Sequence, residues 1–224
     1  MAQATEHFKR YAVPEASWSN VWFSYNKQPL RWNVPVGVLF DLECGSEEQS
    51  PAPWRIRLHV RNFPAELLPF EGQRSFHSNY MHSLKEATCI LRQSPEVILK
   101  LSTEEQLSLE NSRDNHSYSE HCAFSQNVLL PSPNRLPLRI YSKYFLSLPR
   151  NPFLFLQDCV AYKPEQTIRD VLEEVLPGLK EQPGAFDMMR ILLAGVPVFL
   201  DTPVSFLYSN FLFLDHFIYL TLVF

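Results

Sequence analysis

Residues 21–42 decide the fold and read Val-Trp-Phe-Ser-Tyr-Asn-Lys-Gln-Pro-Leu-Arg-Trp-Asn-Val-Pro-Val-Gly-Val-Leu-Phe-Asp-Leu. β-Branched and aromatic residues, which favour strands, surround one polar break from Asn26 to Pro29. Asn tolerates left-handed backbone angles and Pro fixes its own φ, so the break predicts a turn between two strands, Val21–Tyr25 and Leu30–Asn33. The apolar run Val36–Leu42 predicts a short helix or turn directly after this hairpin.

Composition describes an ordinary globular protein. The chain has 224 residues, of which 46% are hydrophobic and 20% are charged, and that length corresponds to one or two domains of roughly 100–200 residues. A net charge of -4 and a pI near 6.0 provide no overall attraction to nucleic acid or anionic lipid. The 6 glycines stand far apart. Neither Gly-x-Gly-x-x-Gly nor a P-loop motif occurs, which excludes nucleotide-binding loops of those types.

Residue types that carry catalysis or bind metals show no productive spacing. His116, His121 and Cys122 lie in a polar segment without paired ligands, so we predict a solvated loop there rather than a metal site. Cys89 stands beside Ile90 and Leu91, which predicts a buried structural thiol. No Gly-x-Ser-x-Gly elbow is present. We therefore predict no catalytic residue, no metal site and no cofactor. The cysteines are too irregularly spaced for a disulfide framework or a zinc ribbon: Cys44, Cys89, Cys122 and Cys159.

The two ends of the chain bear on its compartment. Met1–Arg10 is polar and lacks an apolar signal core, so a reducing cytosol or nucleus is the default expectation. Phe206–Phe224 is strongly apolar, but Asp215 and His216 interrupt it before the length of a membrane span is reached. We predict that its last part, Phe217–Phe224, is a buried terminal strand, because it is rich in β-formers.

A half-buried strand and a helical region follow the opening stretch. Trp54–Phe63 alternates apolar and polar residues, which predicts a strand whose arginines form a basic outer face. For the tryptophans, packing in the core is favoured over base stacking as in nucleic-acid readers. The basic face is a candidate contact for anionic membrane. Ser75–Leu91 has helical spacing, Ser102 or Thr103 is a candidate cap for a later helix, and Asn111–Ser119 is predicted to be a mobile loop.

The second half of the chain shows a strand–strand–helix–strand–strand–short helix–strand order. The two opening strands are predicted at Leu136–Ser142 and Phe153–Tyr162. Thr167 and Asp170 form a capping box that opens an amphipathic helix. A hairpin turns at Ala194-Gly195, and a short helix and the terminal strand follow. This is the β-grasp order of ubiquitin, and the first segment repeats it from its helix onward.

Several short motifs, collinear over most of the chain, resemble the autophagy protein 5 family. The most specific of them lie in the opening stretch, where Val21-Trp-Phe23, Pro29-Leu-Arg-Trp32 and Gly37-Val-Leu-Phe-Asp-Leu42 match in order. The other matches are Pro53-Trp-Arg-Ile56, Phe63-Pro64, Leu84-Lys-Glu-Ala87, Leu136-Pro-Leu-Arg-Ile-Tyr141 and Asp201-Thr-Pro203.

The resemblance implies an α+β fold of two ubiquitin-like β-grasp domains flanking a helix-rich domain. We accordingly place a partial first ubiquitin-like domain at residues 1–64, the helix-rich domain at 65–132 and the second ubiquitin-like domain at 133–224. The family's opening helix and β-hairpin have no counterpart here, so we expect an N-terminally truncated member or isoform. In that case the strand within Trp54–Phe63 lacks its parallel partner.

The resemblance also implies a function in autophagosome formation. One lysine of the family's helix-rich domain is joined by an isopeptide bond to the ubiquitin-like autophagy protein 12, and the matching position is Lys85. Lys100 is a rival acceptor outside the motif. The family binds the N-terminal helix of autophagy protein 16, and the complex promotes lipidation of autophagy protein 8 family members. The expected role is a cytoplasmic, non-catalytic subunit of a ligase-like complex, peripheral on the phagophore membrane.

Two other functions remain open on the sequence. The chain could be a non-conjugating binding module or an inactive truncated isoform. It could also be a ubiquitin-like modifier itself, although a modifier needs a flexible tail ending in Gly, and this chain ends with Leu222-Val-Phe224 inside a strand pattern.

Overall fold

A computed structural model describes residues 21–45, 53–115, 117–130, 132–143, 155–181 and 184–224. The first sheet contains β1 (Trp22–Tyr25), β2 (Gln28–Leu30) and β3 (Arg57–His59) in the order β2-β1-β3. Both pairings are antiparallel. Helix α1 (Val36–Cys44) follows the hairpin, so the predicted short helix is confirmed and extends two residues further.

The predicted hairpin is confirmed with a shorter turn. Asn26 and Lys27 alone form the turn, both with positive φ (46° and 68°), as a two-residue type I′ turn requires. Pro29, predicted to belong to the turn, lies in β2 opposite Ser24. Because β2 is an edge strand and this pair is not hydrogen-bonded in a two-residue hairpin, the N–H that proline lacks would point to the free edge and no ladder bond is lost.

Strand β3 is shorter than the predicted Trp54–Phe63. Only Arg57–His59 pairs, and Asn62 adopts a positive φ of 53° that turns the chain away. Within the described residues β3 pairs with β1 alone, so its other edge carries no strand. Trp22 fixes this end of the sheet, because its indole stacks on His59 at 3.8 Å and its Nε1–H donates to the Arg61 carbonyl at 2.9 Å.

Four helices form the middle region. They are α2 (Gln73–Arg92), α3 (Glu96–Leu99), α4 (Thr103–Asp114) and α5 (Tyr118–Val128). The predicted cap at Ser102 is confirmed: its Oγ accepts from the Glu105 N–H at 3.2 Å, and the Glu105 carboxylate accepts from the Ser102 N–H at 2.7 Å.

The predicted loop over Asn111–Ser119 is wrong. Its first residues complete α4 and its last residues begin α5. The polar sequence suggested a loop because one side of α4 faces solvent. Leu109 and Ser112 on the other side are buried. A helix with so few apolar positions depends on tertiary packing and on its cap.

The second sheet has five strands with a parallel pair at its centre. The strands are β4 (Arg135–Tyr141), β5 (Phe155–Ala161), β6 (Arg190–Leu193), β7 (Val196–Val198) and β8 (Ile218–Val223), in the order β5-β4-β8-β6-β7. β4 and β8 are parallel and the other pairs antiparallel. First and last strands of the unit therefore meet at the centre, as a β-grasp requires.

Four helices complete this second unit: α6 (Ile168–Val175), α7 (Pro177–Lys180), α8 (Ala185–Met188) and α9 (Val204–Asn210). The predicted capping box is confirmed, since Thr167 and Asp170 bond reciprocally at the start of α6. The hairpin turn at Ala194 and Gly195 is also confirmed, and both residues have positive φ (50° and 83°).

An apolar core connects the two sheets through α2. Leu30, Val38 and Leu42 of the first unit pack in one cluster with Ala87 and Ile90 of α2 and with Tyr141, Phe217 and Tyr219 of the second sheet. The predicted terminal strand is confirmed, because β8 lies at the centre of its sheet and Phe217 is fully buried beside it. In the described ranges, no helix combines the length and the apolar character that a bilayer crossing needs.

Candidate docking groove and acceptor helix

A groove of about 1420 Å³ runs between the first sheet, the helical region and the loop before β8. All three regions contribute apolar and aromatic side chains to it. They include Phe23, Leu30, Trp32 and Leu58 from the first unit, Phe76 and Tyr80 from α2, and Phe213, Leu214 and Tyr219 from the second unit. A groove of this composition suits the apolar face of a helix.

The Trp32 side chain forms one wall of the groove. Its Nε1–H donates to the Leu68 carbonyl at 2.8 Å. Its ring contacts Phe70 and Phe76 with centroid distances of 5.4 and 5.7 Å, the latter edge to face. Because the indole N–H is satisfied and the ring is held on two sides, this wall is preorganised for an apolar partner.

Tyr80 connects the helical wall to the second unit. Its hydroxyl donates to the Leu214 carbonyl at 3.3 Å, and the Arg113 guanidinium lies 5.1 Å above its ring. Burial raises the pKa of Tyr80 well above its usual value, so the phenol stays neutral. Arg113 pairs with Asp114 at 2.9 Å, and these charges line one end of the groove.

The predicted acceptor Lys85 lies on the other side of α2. The groove-lining residues of that helix are separated from Lys85 by about 120–180° around the axis at 100° per residue, with Phe76 at about 180°. Leu84 and Thr88 are fully buried and anchor the helix, whereas Lys85 is half-buried.

The Lys85 amine forms no hydrogen bond or ion pair to any residue in the described part of the chain. Lys100 differs, because its Nζ is bonded to Glu96 at 2.6 Å. The two lysines therefore differ in whether their nitrogen is already engaged.

A buried arginine cluster fixes the face of α2 beside Lys85. Arg139 of β4 is 9% exposed. Its Nη2 donates to Glu86 Oε2 at 2.8 Å, and its guanidinium carbon lies 3.8 Å from the centre of the Phe217 ring. The other donors of the same guanidinium reach three side chains: Ser83 (3.1 Å), Tyr219 (2.9 Å) and Gln157 (2.8 Å).

Asp215 provides a second carboxylate to this cluster. Its Oδ2 accepts from the Tyr219 hydroxyl at 2.5 Å and lies 3.7 Å from Arg139 Nη1. Burial raises the pKa of Asp215, while the bonds from Tyr219 and the charge of Arg139 act in the opposite direction. Tyr219 and Arg139 therefore offset part of the cost of burying this carboxylate, and its pKa stays above the ordinary value.

Three family models match the chain in order. Their descriptions are Autophagy protein ATG5, UblA domain (residues 1–60), alpha-helical bundle region (residues 73–131) and UblB domain (residues 135–222). The chain belongs to the autophagy protein 5 family. Together these matches cover the groove and helix α2, and family membership supports a role in autophagy.

Relatives from plants and fungi agree with the family models. The autophagy protein 5 of Arabidopsis thaliana is 28% identical over 204 residues, a match that covers 70% of this chain and 60% of that protein. The Phaeosphaeria nodorum protein is 25% identical over 94% of this chain and 78% of its own length. For the rice (subspecies indica) protein the match spans 23% of its length, at 40% identity.

A solved autophagy protein 5 structure shares the fold. The crystal structure of Kluyveromyces marxianus Atg5 superimposes with a TM-score of 0.76 at 25% identity, covering 93% of this chain and 75% of that chain. The predicted α+β class, two ubiquitin-like domains flanking a helix-rich domain, is thereby confirmed. The domain boundaries at residues 64/65 and 132/133 stay predictions.

Two predictions about single residues in this family member are wrong. Cys89 is exposed rather than buried, because it lies one helical turn beyond Lys85 on the outward face while Ile90 and Leu91 point inward.

His121 is not in a solvated loop but is buried on α5, where burial lowers its pKa. His116 lies outside the described residues. The described part of the chain holds no group of three or more His, Cys, Asp or Glu side chains placed to bind a metal.

Sequence reasoning missed the Arg139 cluster, although a signal for it exists. Arg139 is the one charged residue inside the otherwise apolar run Leu136–Tyr141, which is buried throughout. A buried arginine requires partners. Its partners come from α2, β5 and the loop before β8, and local pattern does not identify such distant residues.

Proposed function

We propose that this chain is the acceptor of an isopeptide-linked ubiquitin-like modifier and a scaffold subunit of a ligase-like complex in autophagosome formation. By the family resemblance the modifier is autophagy protein 12, joined to Lys85. The complex, with autophagy protein 16, promotes lipidation of autophagy protein 8 family members. This subunit contributes an acceptor amine and docking surfaces, and no thioester-forming cysteine or cofactor of its own.

The observation that carries the proposal is the unengaged amine of Lys85 on a helix that is otherwise firmly anchored. Attack on a thioester needs a nitrogen lone pair, which an ion-paired ammonium withholds. Lys85 is partly exposed, and its helix is held by the buried Leu84 and by the bond between Glu86 and Arg139. An acceptor on a rigid element is presented in one orientation, which favours transfer.

The test is a reconstituted conjugation reaction followed by mapping of the attachment site by mass spectrometry. A branched peptide at Lys85 is expected, because its amine is free where that of Lys100 is paired. A branch at another lysine would contradict the acceptor assignment. Absence of any conjugate would favour the alternative of a non-conjugating binding module.

The groove supports the scaffold half of the proposal. Its floor is apolar, its wall at Trp32 is rigid, and three parts of the chain contribute to it. An amphipathic helix buries its apolar face in such a groove through residues at i, i+3, i+4 and i+7. We infer that the N-terminal helix of autophagy protein 16 binds here, on the side of α2 opposite to Lys85, so docking and conjugation do not compete for space.

Replacing Leu214 by Asp is expected to weaken binding of this helix by about 30-fold, because an apolar contact becomes an unpaired carboxylate, at a cost of ~2 kcal/mol. Leu214 lines the groove and is 42% exposed, so the change leaves the core intact. Fluorescence anisotropy of a labelled helix peptide measures the affinity. The matched control is Leu107→Asp on α4, since Leu107 is 52% exposed and does not line the groove. Equal affinities of the two variants would remove the groove from the proposal.

The basic end of the first sheet is proposed as the contact with an anionic membrane, which accords with a cytoplasmic protein peripheral on the phagophore. Arg55, Arg57 and Arg61 are exposed around β3, and each basic residue near an anionic surface contributes about 1 kcal/mol. Arg57→Glu with Arg61→Glu is expected to reduce co-sedimentation with phosphatidylserine vesicles at least ~10-fold, with neutral phosphatidylcholine vesicles as the control. Unchanged sedimentation would contradict this contact.

A further inference from the structure

His82 lies three residues before Lys85 on the outward face of α2. Its side chain is 75% exposed, and its Nε2 lies 3.2 Å from Glu86 Oε1. Residues three apart on a helix are neighbours, with about 5–6 Å between their Cβ atoms. This spacing allows the imidazole of His82 and the amine of Lys85 to meet directly or through one water.

Arg139, which is buried beneath α2, fixes the position of the Glu86 side chain. The Oε2 atom of Glu86 accepts from Arg139 Nη2 at 2.8 Å, and its other oxygen faces His82. In the described part of the chain, Glu86 forms no ion pair with the neighbouring Lys85. Because Arg139 holds the Glu86 carboxylate, this carboxylate contacts the His82 imidazole from a fixed position.

The contact with Glu86 favours one tautomer of His82. A carboxylate beside Nε2 favours the proton on that nitrogen, which leaves the lone pair on Nδ1. Nδ1 has no hydrogen-bonding partner among the described residues. The arrangement is a base oriented by an acid, next to a nucleophile, and this is the general pattern of an activated nucleophile.

We propose that His82 is the general base for conjugation at Lys85. The inference rests on the proposed function and adds to it a residue of this chain that handles the proton. The co-reactant is a modifier whose C-terminal carbonyl is held as a thioester on a cysteine of a conjugating enzyme.

The step balances in atoms and charge. The neutral amine of Lys85 attacks the thioester carbonyl carbon and forms the C–N bond. Nδ1 of His82 accepts one proton from the now positive nitrogen. The C–S bond breaks, and its electron pair leaves with the sulfur as thiolate. The products are the isopeptide, the conjugating enzyme's thiolate and an imidazolium beside the Glu86 carboxylate.

The test is single-turnover transfer from a preformed thioester to the full chain, at several thioester concentrations. His82→Ala is expected to lower the maximal rate constant about 100-fold, within the usual range for a general base. The half-saturating thioester concentration should stay unchanged. Free imidazole in the buffer should restore part of the rate, because the site is open to solvent. A side chain that only shaped the helix would not be replaced by imidazole in solution.

His77→Ala is the matched control. His77 is on the same helix and contacts a glutamate, Glu110, but lies more than two turns from Lys85. Its variant should conjugate at the wild-type rate, with or without imidazole. Thermal unfolding of both variants verifies that the fold is retained.

The outcomes separate the inference from the proposed function. A wild-type rate for His82→Ala with branching still at Lys85 overturns the inference and leaves the acceptor assignment intact. A rate loss that imidazole does not restore, with a raised half-saturating concentration, makes His82 a docking contact and also overturns it. Branching at another lysine, or no conjugate, overturns both.

Discussion

Lys85→Arg is expected to abolish the conjugate with autophagy protein 12, with a loss of at least ~100-fold in rate. The substitution keeps the positive charge and the helix propensity. It removes the nucleophile, because a guanidinium stays protonated at every accessible pH and offers no nitrogen lone pair. The fold should not change, since the Lys85 amine has no partner to lose in the described structure.

A gel-shift assay of the reconstituted reaction measures this effect, and Lys100→Arg is its matched control. Lys100 belongs to the same helical region, is 75% exposed and is paired with Glu96, so its variant should conjugate normally. Binding of the autophagy protein 16 helix should be equal in both variants, because Lys85 faces away from the groove. Product retained by Lys85→Arg but lost in Lys100→Arg would move the acceptor to Lys100.

Arg139→Met is expected to lower the free energy of unfolding by about 3–5 kcal/mol, the usual cost of removing one partner from a buried charge cluster. Methionine replaces much of the aliphatic volume but none of the donors. Glu86 and Asp215 each lose a positive partner, and Asp215 is the more costly because it is buried. Urea unfolding at pH 7 measures the difference.

The matched control is Arg135→Met. Arg135 begins the same strand but is exposed, so its loss should change the free energy of unfolding by less than ~0.5 kcal/mol. A double variant, Arg139→Met with Asp215→Asn, should recover part of the loss because the uncompensated carboxylate is gone. Equal destabilisation by Arg139→Met and Arg135→Met would show that the cluster contributes nothing.

The same variant carries a pH signature. Burial raises the pKa of Asp215 in the folded protein, and the charge of Arg139 opposes that rise, so removing Arg139 raises the pKa further. The folded variant then binds more protons than the unfolded chain at pH values above the ordinary carboxyl pKa of 3.8. Stability conferred by that proton is present at low pH and is lost as pH rises. The deficit of Arg139→Met should therefore be smaller at pH 5 than at pH 7.

Buried histidines do not obscure this comparison. Burial lowers the pKa of His216 to about 3, and burial also lowers that of His121. These groups make acidification destabilising in both proteins, because the unfolded chain binds their protons first. Their contribution cancels in the difference between the wild type and the variant.

Local patterns predicted the elements well where residue type restricts the backbone. Asn26 for the first turn, Ala194-Gly195 for the second and Thr167 with Asp170 for a helix start were each found in those roles. Prediction failed at the end of α4, a polar segment that was predicted to be a loop. It is helical because residues distant in sequence pack against its buried side. Prediction also failed for Cys89, because the neighbours of a residue along a helix point in other directions.

Some parts of the candidate site were predicted from the sequence and others were not. Lys85 was singled out by its motif, and its role as acceptor remains a prediction. The groove and the Arg139 cluster were not foreseen, since their members come from three separate parts of the chain. Spacing along a helix placed His82 near Lys85, but the contact with Glu86 gave the imidazole an orientation and therefore a proposed task.

The sequence by itself determined the hairpin turns, the helix caps, the order of the strands in the second unit and the family, because turns, caps and amphipathic periods are set by residues a few positions apart. Residues 21–42 are the clearest case, since their hairpin and helix can be read almost residue by residue. Only the tertiary structure decided which face of α2 carries a free amine and which lines a groove. Burial of Arg139 required partners from α2, β5 and the loop before β8, and their convergence is a property of packing between units rather than of any segment.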